Sequence, residues 1–302
     1  MTKDTIVTAI YYYSYYSRMG GRNYSFEHYE NPFRNLISLN LNIVVFSHAS
    51  EIDKIKKFFV KNNFIDYKII EYDLDKCVFS DMIYSIKEKK NIIDKKGLVQ
   101  GNALLMNDRN THLCLSKMDL LSMAILDNFF GSDNYYWVDA GLFHNGIIPF
   151  SLGGAHRNEK PNDERFWPKN KNNICRPGLI DDLNNKNNNN KLLFIGLTST
   201  FEFTLPGWFN KVSLCDKKAH IIGGLFGGNK DEILKLQSKF QALVKQVLTL
   251  NELTLEEDIL SIIILENNYD YLKFDTWYHD IATDSCYYGT SSNKKSFYKL
   301  FA

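Results

Sequence analysis

The sequence has few cysteines, no long apolar run and almost no net charge. Its five cysteines, in a chain of 302 residues, are scattered, odd in number and include no C-x-x-C pair. This usage disfavours a disulfide framework or a zinc knuckle and favours a reducing compartment. No apolar stretch approaches the roughly 18 residues that a membrane-spanning helix requires.

An excess of charge of one sign is also missing, since 36 Lys and Arg against 35 Asp and Glu leave a net charge of +1. Such a balance creates no field that attracts nucleic acid, so we expect no nucleic-acid partner. The chain starts directly on strand-like residues, without the charged and then apolar segments of a secretory signal. We therefore expect a cytoplasmic protein.

The chain is instead rich in apolar and aromatic residues, with 44% hydrophobic and 14% aromatic side chains. This length and composition allow a large core, built as one α/β unit or as two small domains. Aromatic faces also suit flat ligands such as bases and sugar rings, although most of these rings should be core.

Strand and helix signals alternate over the first 140 residues. A helix capped by Ser50 is predicted from apolar residues at helical spacing, and a second helix is predicted to begin at Ser116 and end at Gly131. Runs of β-branched and aromatic residues predict strands at 5–13, 42–47, 66–72 and 135–138. This βαβ alternation implies a largely parallel sheet.

The second half begins with a loop-rich insertion at 151–190, which holds several prolines and the tract NNKNNNN. Strands are predicted to resume at 191–197 and 219–222. A long helix capped by Asn229 follows. A last helix is predicted to open at Thr254, and a last strand near 272–275.

Residues 135–141 (YYWVDAG) place Asp139 on a turn directly after a short buried strand. Functional groups in open α/β sheets lie at the carboxyl ends of strands. A carboxylate there can hold a divalent cation or a ribose hydroxyl, because the strand fixes it while the turn leaves it open. The alternative is an aspartate that only caps a loop.

The segment 220–228 (HIIGGLFGG) carries four glycines between a predicted strand and a predicted helix: Gly223, Gly224, Gly227 and Gly228. Glycines in such a turn let a ligand approach the backbone closely. Leu225 stands where the second glycine of a G-x-G-x-x-G fingerprint would be, which disfavours a dinucleotide-binding loop. The alternative to a ligand site is a tight packing turn.

The segment 254–258 (TLEED) offers Glu256, Glu257 and Asp258 as carboxylates that can activate an acceptor hydroxyl. Thr254 and Glu257 also match a capping box, which is the structural alternative. Asp258, which such a cap does not use, is then the more interesting member.

The run 11–22, which starts at the end of the first predicted strand and continues beyond it, adds candidates for contacts with a nucleotide. Tyr11 and Tyr12 can stack on a base, and Arg18 or Arg22 can meet a diphosphate. Aromatic residues at a solvent-facing strand end, followed by loop arginines, are the alternative.

Three weaker signals complete the candidates. Lys117, near the start of the helix before Asp139, is a further ligand-binding candidate. His279 can ligate a metal, although a lone histidine is more often structural. Lysines and aromatic residues at 291–302 suit contact with an anionic membrane surface, and a frayed tail is the alternative.

In order and spacing, these segments resemble the HtrL/YibB (WlaTC) family of bacterial proteins, which occurs with lipopolysaccharide and lipooligosaccharide genes. The resemblance rests on TIVTAIYYYS with Arg18 following, on 29–46 and on YYWVDAGLF. It continues in HIIGGLFGG and LEEDILSIIILENN, so it covers most of the chain. That family resembles GT-A glycosyltransferases and is expected to transfer sugars during surface-glycan synthesis.

The resemblance implies an α/β fold with a GT-A-like (Rossmann-like) mixed sheet flanked by helices. A nucleotide-binding half at about 1–150 and an acceptor-shaping half at about 191–302 would share this sheet in one domain. The resemblance places the nucleotide at 11–22, the donor sugar and acceptor at 223–228, and the Glu257/Asp258 pair at the reacting centre.

The resemblance also puts Asp139 at the first acid of the Asp-x-Asp motif that binds Mn²⁺ or Mg²⁺. Gly141 stands where that motif has its second acid, so Asp139 alone, or with a later histidine such as His279, would have to complete a metal site.

The motifs and this resemblance together predict a bacterial glycosyltransferase, specifically a hexosyltransferase. It would move a sugar from a nucleotide donor, UDP-linked, to a hydroxyl of a glycan or glycolipid in lipopolysaccharide, lipooligosaccharide or capsule synthesis. Peripheral contact with the inner-membrane surface is expected. Two alternatives stay open: a sugar nucleotidyltransferase, faintly echoed by the basic glycine-rich segment 19–22, and a catalytically inactive nucleotide- or glycan-binding protein.

Overall fold

The computed structural model describes residues 3–11, 40–89, 108–140, 192–197, 220–267 and 272–274, with isolated positions between 30 and 37. The strands are β1 (Thr5–Ile10), β2 (Asn42–Ser47), β3 (Tyr67–Glu71), β4 (Asn134–Val138), β5 (Leu192–Leu197), β6 (His220–Asn229) and β7 (Leu272–Phe274). The helices are α1 (Ile52–Lys61), α2 (Ser80–Lys89), α3 (Asp108–Asp127), α4 (Lys230–Thr249) and α5 (Glu256–Glu266). The predicted insertion at 151–190 and the tail at 291–302 lie outside the described residues.

The described strands form one sheet in the order β3-β2-β1-β4-β6-β5-β7. Strands β1 to β4 are parallel, whereas β6 runs antiparallel to both β4 and β5. Because the parallel strands alternate with helices along the chain, this half of the sheet has the βαβ arrangement that the sequence predicted. The predicted fold class, a mixed α/β sheet flanked by helices, is confirmed.

The centre of the sheet is deeply buried. Every residue of β1 and β2 is buried, whereas β3, at the edge, is half-exposed. Helix α3 packs on β4 and α4, and α5 packs on β6. Strands covered on both faces consist of consecutive apolar residues, which is why these segments stand out in the sequence. None of the described helices is long and apolar enough to cross a lipid bilayer.

Two predicted helix starts in the first half of the chain are wrong. Ser50 does not cap α1: it lies in a 3₁₀ turn at Ala49–Glu51, and its hydroxyl donates to the Glu51 carboxylate at 3.0 Å. Helix α3 begins at Asp108 rather than at Ser116, and Thr111, His112 and Leu115, which precede Ser116, are already buried. The predicted cap of α4 is confirmed, since the Asn229 side chain accepts from the backbone N–H of Asp231.

The glycine-rich segment is a strand, and its prediction as a turn is wrong. Gly227 and Gly228 lie inside β6, opposite Tyr136 and Tyr135 of β4. A Cβ on Gly227 would lie 2.5 Å from the Cα of Tyr136, and the residue has φ +156°. The glycines therefore let β6 lie close to a strand of three consecutive aromatic residues.

Replacing Gly227 by alanine should lower the free energy of unfolding by about 3 kcal/mol or more, because backbone strain adds to overpacking. Gly131→Ala is the matched control: Gly131 also has a positive φ, +65°, but a Cβ added there would meet no atom within 4 Å. Urea unfolding of both variants measures the difference. Equal losses would contradict the close packing of β6 on β4.

Candidate functional site

The strand order defines where a site can form. From β1 the chain builds β2 and β3 on one side, and it later places β4 on the other side of β1. Ligands of open α/β sheets bind outside the carboxyl ends of strands at such a switch point. Asp139 directly follows β4 and Tyr11 directly follows β1, so both lie at this edge.

Lys117, in the middle of α3, is the centre of a buried ionic cluster at this edge. Its Nζ lies 2.9 Å from Asp139 Oδ1 and 2.6 Å from Glu256 Oε1. The same ammonium donates to the carbonyl oxygen of Gly223 at 3.0 Å. Since an ammonium has three N–H donors, these three acceptor groups use all of them. The Lys117 side chain is only 6% exposed.

Asp139 is the accessible member of the cluster, with a side chain that is 40% exposed. Its Oδ1 also accepts a hydrogen bond from the indole Nε1 of Trp137 at 2.7 Å, and its backbone N–H donates to Gly224 at 2.9 Å. The strand end, the indole and the ammonium thus fix the direction of this carboxylate, while part of it stays open.

Glu256 is the buried counter-ion and begins α5. Its side chain is 5% exposed, and its Oε2 is buried without a hydrogen-bond partner among the described residues. It passes over Gly223, where a Cβ would lie 2.6 Å from its Cδ. A glycine at this position of β6 therefore makes room for the carboxylate that reaches Lys117.

The electrostatics of the cluster follow from burial and close opposite charges. Burial disfavours the ammonium of Lys117, but Asp139 and Glu256 outweigh it and raise the pKa of Lys117 well above its usual value. Burial raises the pKa of Glu256 above its usual value, and Lys117 opposes this effect. Burial also raises the pKa of the Cys114 thiol, one helical turn before Lys117. Lys117 is therefore a permanent buried cation at neutral pH.

The predicted capping box at the start of α5 is wrong. Leu255 is at the N-cap position, without a side-chain cap hydrogen bond. Glu257 instead accepts from the backbone N–H of Gly223 at 2.9 Å, and the Thr254 hydroxyl donates to Asp258 at 2.8 Å. The tertiary partner on β6 displaces the local cap, so Glu257 joins the network around Lys117.

The structure therefore brings together five of the residues considered for the site: Lys117, Asp139, Gly223, Glu256 and Glu257. Gly224 contacts Asp139 through its backbone, while Gly227 and Gly228 lie further along β6, against β4. Lys117 is buried and its donors are taken, so it positions Asp139 rather than facing a ligand directly.

The Tyr11 side chain is buried in the hydrophobic core. Its ring is 3% exposed, and its hydroxyl donates to the carbonyl oxygen of Tyr72 at 2.9 Å. The nucleotide contact predicted for Tyr11 stays a prediction. Tyr12, Arg18, Arg22 and His279 lie outside the described residues.

The partnership of Glu256 with Lys117 was not foreseen from the sequence. Glu256 stood out only as one of three adjacent acids, and Cys114 and the Trp137 indole carried no separate signal. The spacing of Cys114 and Lys117 places them on one helix face. No local pattern, however, indicates that Glu256, on a different helix, meets that face.

The fit of a divalent cation to Asp139 follows from these contacts. Both carboxylate oxygens contact Lys117 Nζ, at 2.9 and 3.1 Å. The ammonium already neutralises this carboxylate, and it would repel a divalent ion about 4 Å away by about 8 kcal/mol at an effective dielectric constant of about 20, which offsets about half of the attraction of the ion to the carboxylate. The described residues also contain no group of three His, Cys, Asp or Glu suited to a metal. Asp139, as it is held here, does not fit such an ion.

No protein-family model matches the chain, and no curated protein matches it in sequence, so membership of the HtrL/YibB family stays a prediction.

Among solved structures, the chain is similar to 4-diphosphocytidyl-2C-methyl-D-erythritol synthase from Anaerococcus prevotii, with 11% identity over 93% of this chain and 91% of that chain and a TM-score of 0.44. Mouse xyloside xylosyltransferase 1 shows 9% identity over 89% of this chain and 84% of that chain, with a TM-score of 0.45. The glycosyltransferase GlyE of Streptococcus pneumoniae shows 11% identity over 90% of this chain and 45% of that chain, with a TM-score of 0.39. Similarities of this extent assign neither a family nor an activity.

Proposed function

We propose that the protein is a glycosyltransferase that moves a sugar from a nucleotide donor, UDP-linked, to a hydroxyl of a saccharide acceptor. One observation carries this proposal: two carboxylates, Asp139 and Glu257, are held in one hydrogen-bonded network at the switch point of an α/β sheet. Crevices at such switch points are preferred sites for nucleotides and other small ligands.

Asp139 binds the donor in this proposal. Of the roughly four acceptor positions of its carboxylate, one on Oδ2 is taken by Lys117 and one on Oδ1 by Trp137, and the Lys117 ammonium lies 2.9 Å from Oδ1 and blocks the second position there. The remaining position, on a carboxylate that is 40% exposed, suits one hydroxyl donor. A ribose hydroxyl of the donor nucleotide supplies that donor.

Glu257 is the general base in this proposal. A base must be held within hydrogen-bond reach of the hydroxyl that it deprotonates. Gly223 orients the Glu257 carboxylate through its N–H and binds Lys117 through its carbonyl oxygen. Asp258 is the second candidate for the base, because it is on the same first turn of α5. It ranks below Glu257 because its carboxylate accepts a hydrogen bond from Thr254.

The resemblance to the HtrL/YibB family supports the finer part of the proposal. It favours a hexosyl donor, a glycan or glycolipid acceptor, and a role in bacterial lipopolysaccharide, lipooligosaccharide or capsule synthesis. In this setting the enzyme works in the cytoplasm, in peripheral contact with the inner face of the membrane where a lipid-linked acceptor is presented.

Calorimetric titration with UDP, GDP and CMP tests the donor site. We expect UDP to bind the wild type, and Asp139→Asn to weaken binding about 10-fold or more, because a hydrogen bond to a charged group is lost. Asp133→Asn is the matched control, since Asp133 is exposed and paired only with the surface residue Lys230 in the contacts described.

The outcomes separate the candidate functions. Absence of binding to all three nucleotides would contradict the proposal. Nucleotide binding without release of UDP from any UDP-sugar would indicate a catalytically inactive binding protein. Release of pyrophosphate from a nucleoside triphosphate and a sugar phosphate would indicate a nucleotidyltransferase instead.

A further inference from the structure

We infer that the Lys117 ammonium takes the place of a divalent cation at Asp139, so that Asp139 accepts hydrogen bonds from donor hydroxyls and binds no metal ion. The resemblance stated above implies Mn²⁺ or Mg²⁺ at this position. The contacts of this chain's own residues disagree with that implication, and the disagreement carries the inference.

The first argument is the completeness of the Lys117 contacts. Its ammonium contacts both oxygens of Asp139, one oxygen of Glu256 and the carbonyl oxygen of Gly223, at 2.6 to 3.1 Å. These are the oxygen ligands that a hard cation would otherwise use. Lys117 thus already provides the positive charge that a bound metal would bring to these carboxylates.

The second argument is that this cation cannot easily leave. Lys117 is 6% exposed and Glu256 is 5% exposed, so movement of the lysine would leave Glu256 buried without its counter-ion. Its aliphatic chain is also buried, where it is fixed by packing. A metal would therefore have to bind beside the ammonium rather than replace it.

The third argument is the number of acceptor positions that remain. Asp139 Oδ1 accepts from Trp137 and lies 2.9 Å from the Lys117 ammonium, while Oδ2 accepts from Lys117 and has a position left. Mn²⁺ and Mg²⁺ prefer about six oxygen ligands, whereas a hydroxyl group needs a single acceptor. The geometry of Asp139 matches the hydroxyl.

The statement about donor hydroxyls rests on the proposed function, whereas the statement about the metal does not. The metal is therefore tested directly, by measuring Mn²⁺ binding to the full chain. The electron paramagnetic resonance signal of free Mn²⁺ reports the number of ions bound per chain, for the wild type, Asp139→Asn and the control Asp133→Asn.

We expect the wild type and Asp139→Asn to bind the same number of Mn²⁺ ions, with and without UDP present. One ion bound by the wild type and by Asp133→Asn, but lost in Asp139→Asn, would overturn the inference, either without UDP or with UDP at a concentration that saturates both variants. The condition with UDP covers a metal site that forms only with nucleotide.

A failure of the proposed function is distinguishable from a failure of this inference. If UDP does not bind in the calorimetric titration, the proposed function fails, and the Mn²⁺ comparison without nucleotide still decides the metal at Asp139. If UDP binds and an Asp139-dependent Mn²⁺ site is found, only the inference fails.

Discussion

Replacing Lys117 by methionine should lower the free energy of unfolding by about 3–5 kcal/mol, because the change removes one partner of a buried ion pair. The Glu256 carboxylate, which is 5% exposed, would then be buried without a counter-ion. Methionine preserves most of the aliphatic stem, so the loss reports the charge rather than packing. Urea unfolding near neutral pH measures it.

The matched control is Lys230→Met, because Lys230 pairs with the exposed Asp133 at the surface. Surface ion pairs contribute little to stability, so this variant should unfold close to the wild type. A second substitution, Glu256→Gln in the Lys117→Met background, should restore part of the loss, since it removes the unpaired charge. Equal stability of the two lysine variants would contradict a buried ionic cluster.

The effect of Lys117→Met should also depend on pH. Burial opposes the charge of Lys117, but Asp139 and Glu256 raise its pKa well above the usual value of 10.5. Above pH 10.5 the unfolded state releases the Lys117 proton, whereas the folded state keeps it. The stabilisation by this charge is therefore complete below pH 10.5 and is lost as the pH rises toward the raised pKa of the folded state. The difference between wild type and variant should be smaller at about pH 11 than at about pH 8.

Glu257→Gln should lower the rate of sugar transfer by about 10²–10⁴-fold, which is the usual contribution of a general base. UDP affinity should change little, because the proposed donor contact is made by Asp139. The amide oxygen of glutamine can still accept the Gly223 N–H, so the local structure should persist. Steady-state kinetics with a UDP-sugar and a saccharide acceptor measure the rate.

Asp258→Asn is the comparison for this prediction, because Asp258 is on the same turn and is bonded to Thr254 instead. We expect it to retain a much larger share of activity. A large loss in Asp258→Asn, with activity kept in Glu257→Gln, would move the base to Asp258 and contradict our assignment.

Local sequence patterns were sufficient to predict the strands of the parallel half of the sheet and the position of Asp139 at its edge. Strands β1, β2 and β4 are buried on both faces, so their sequences are continuous apolar or aromatic runs that stand out from their surroundings. Asp139 follows from the same signal, since the first polar residue after a buried strand lies at the edge where sites form.

Local patterns failed where a partner distant in sequence decides the outcome. The glycines of β6 indicate a turn when considered alone, but the aromatic residues of β4 require a strand with little side-chain volume. Thr254 and Glu257 match a capping box, but the N–H of Gly223 competes for the Glu257 carboxylate and binds it. In both cases a tertiary contact overrides a local preference.

The sequence by itself determined strands β1 to β4, the α/β class and the candidate acids at one edge of the sheet. Only the tertiary structure decided the electrostatics of those acids. Lys117, Asp139 and Glu256 come from α3, the end of β4 and the start of α5, and folding alone brings both carboxylates to one ammonium, at 2.9 and 2.6 Å. The reason is physical: hydrophobic periodicity is a local property of the chain, whereas burial and charge pairing depend on residues far apart in sequence.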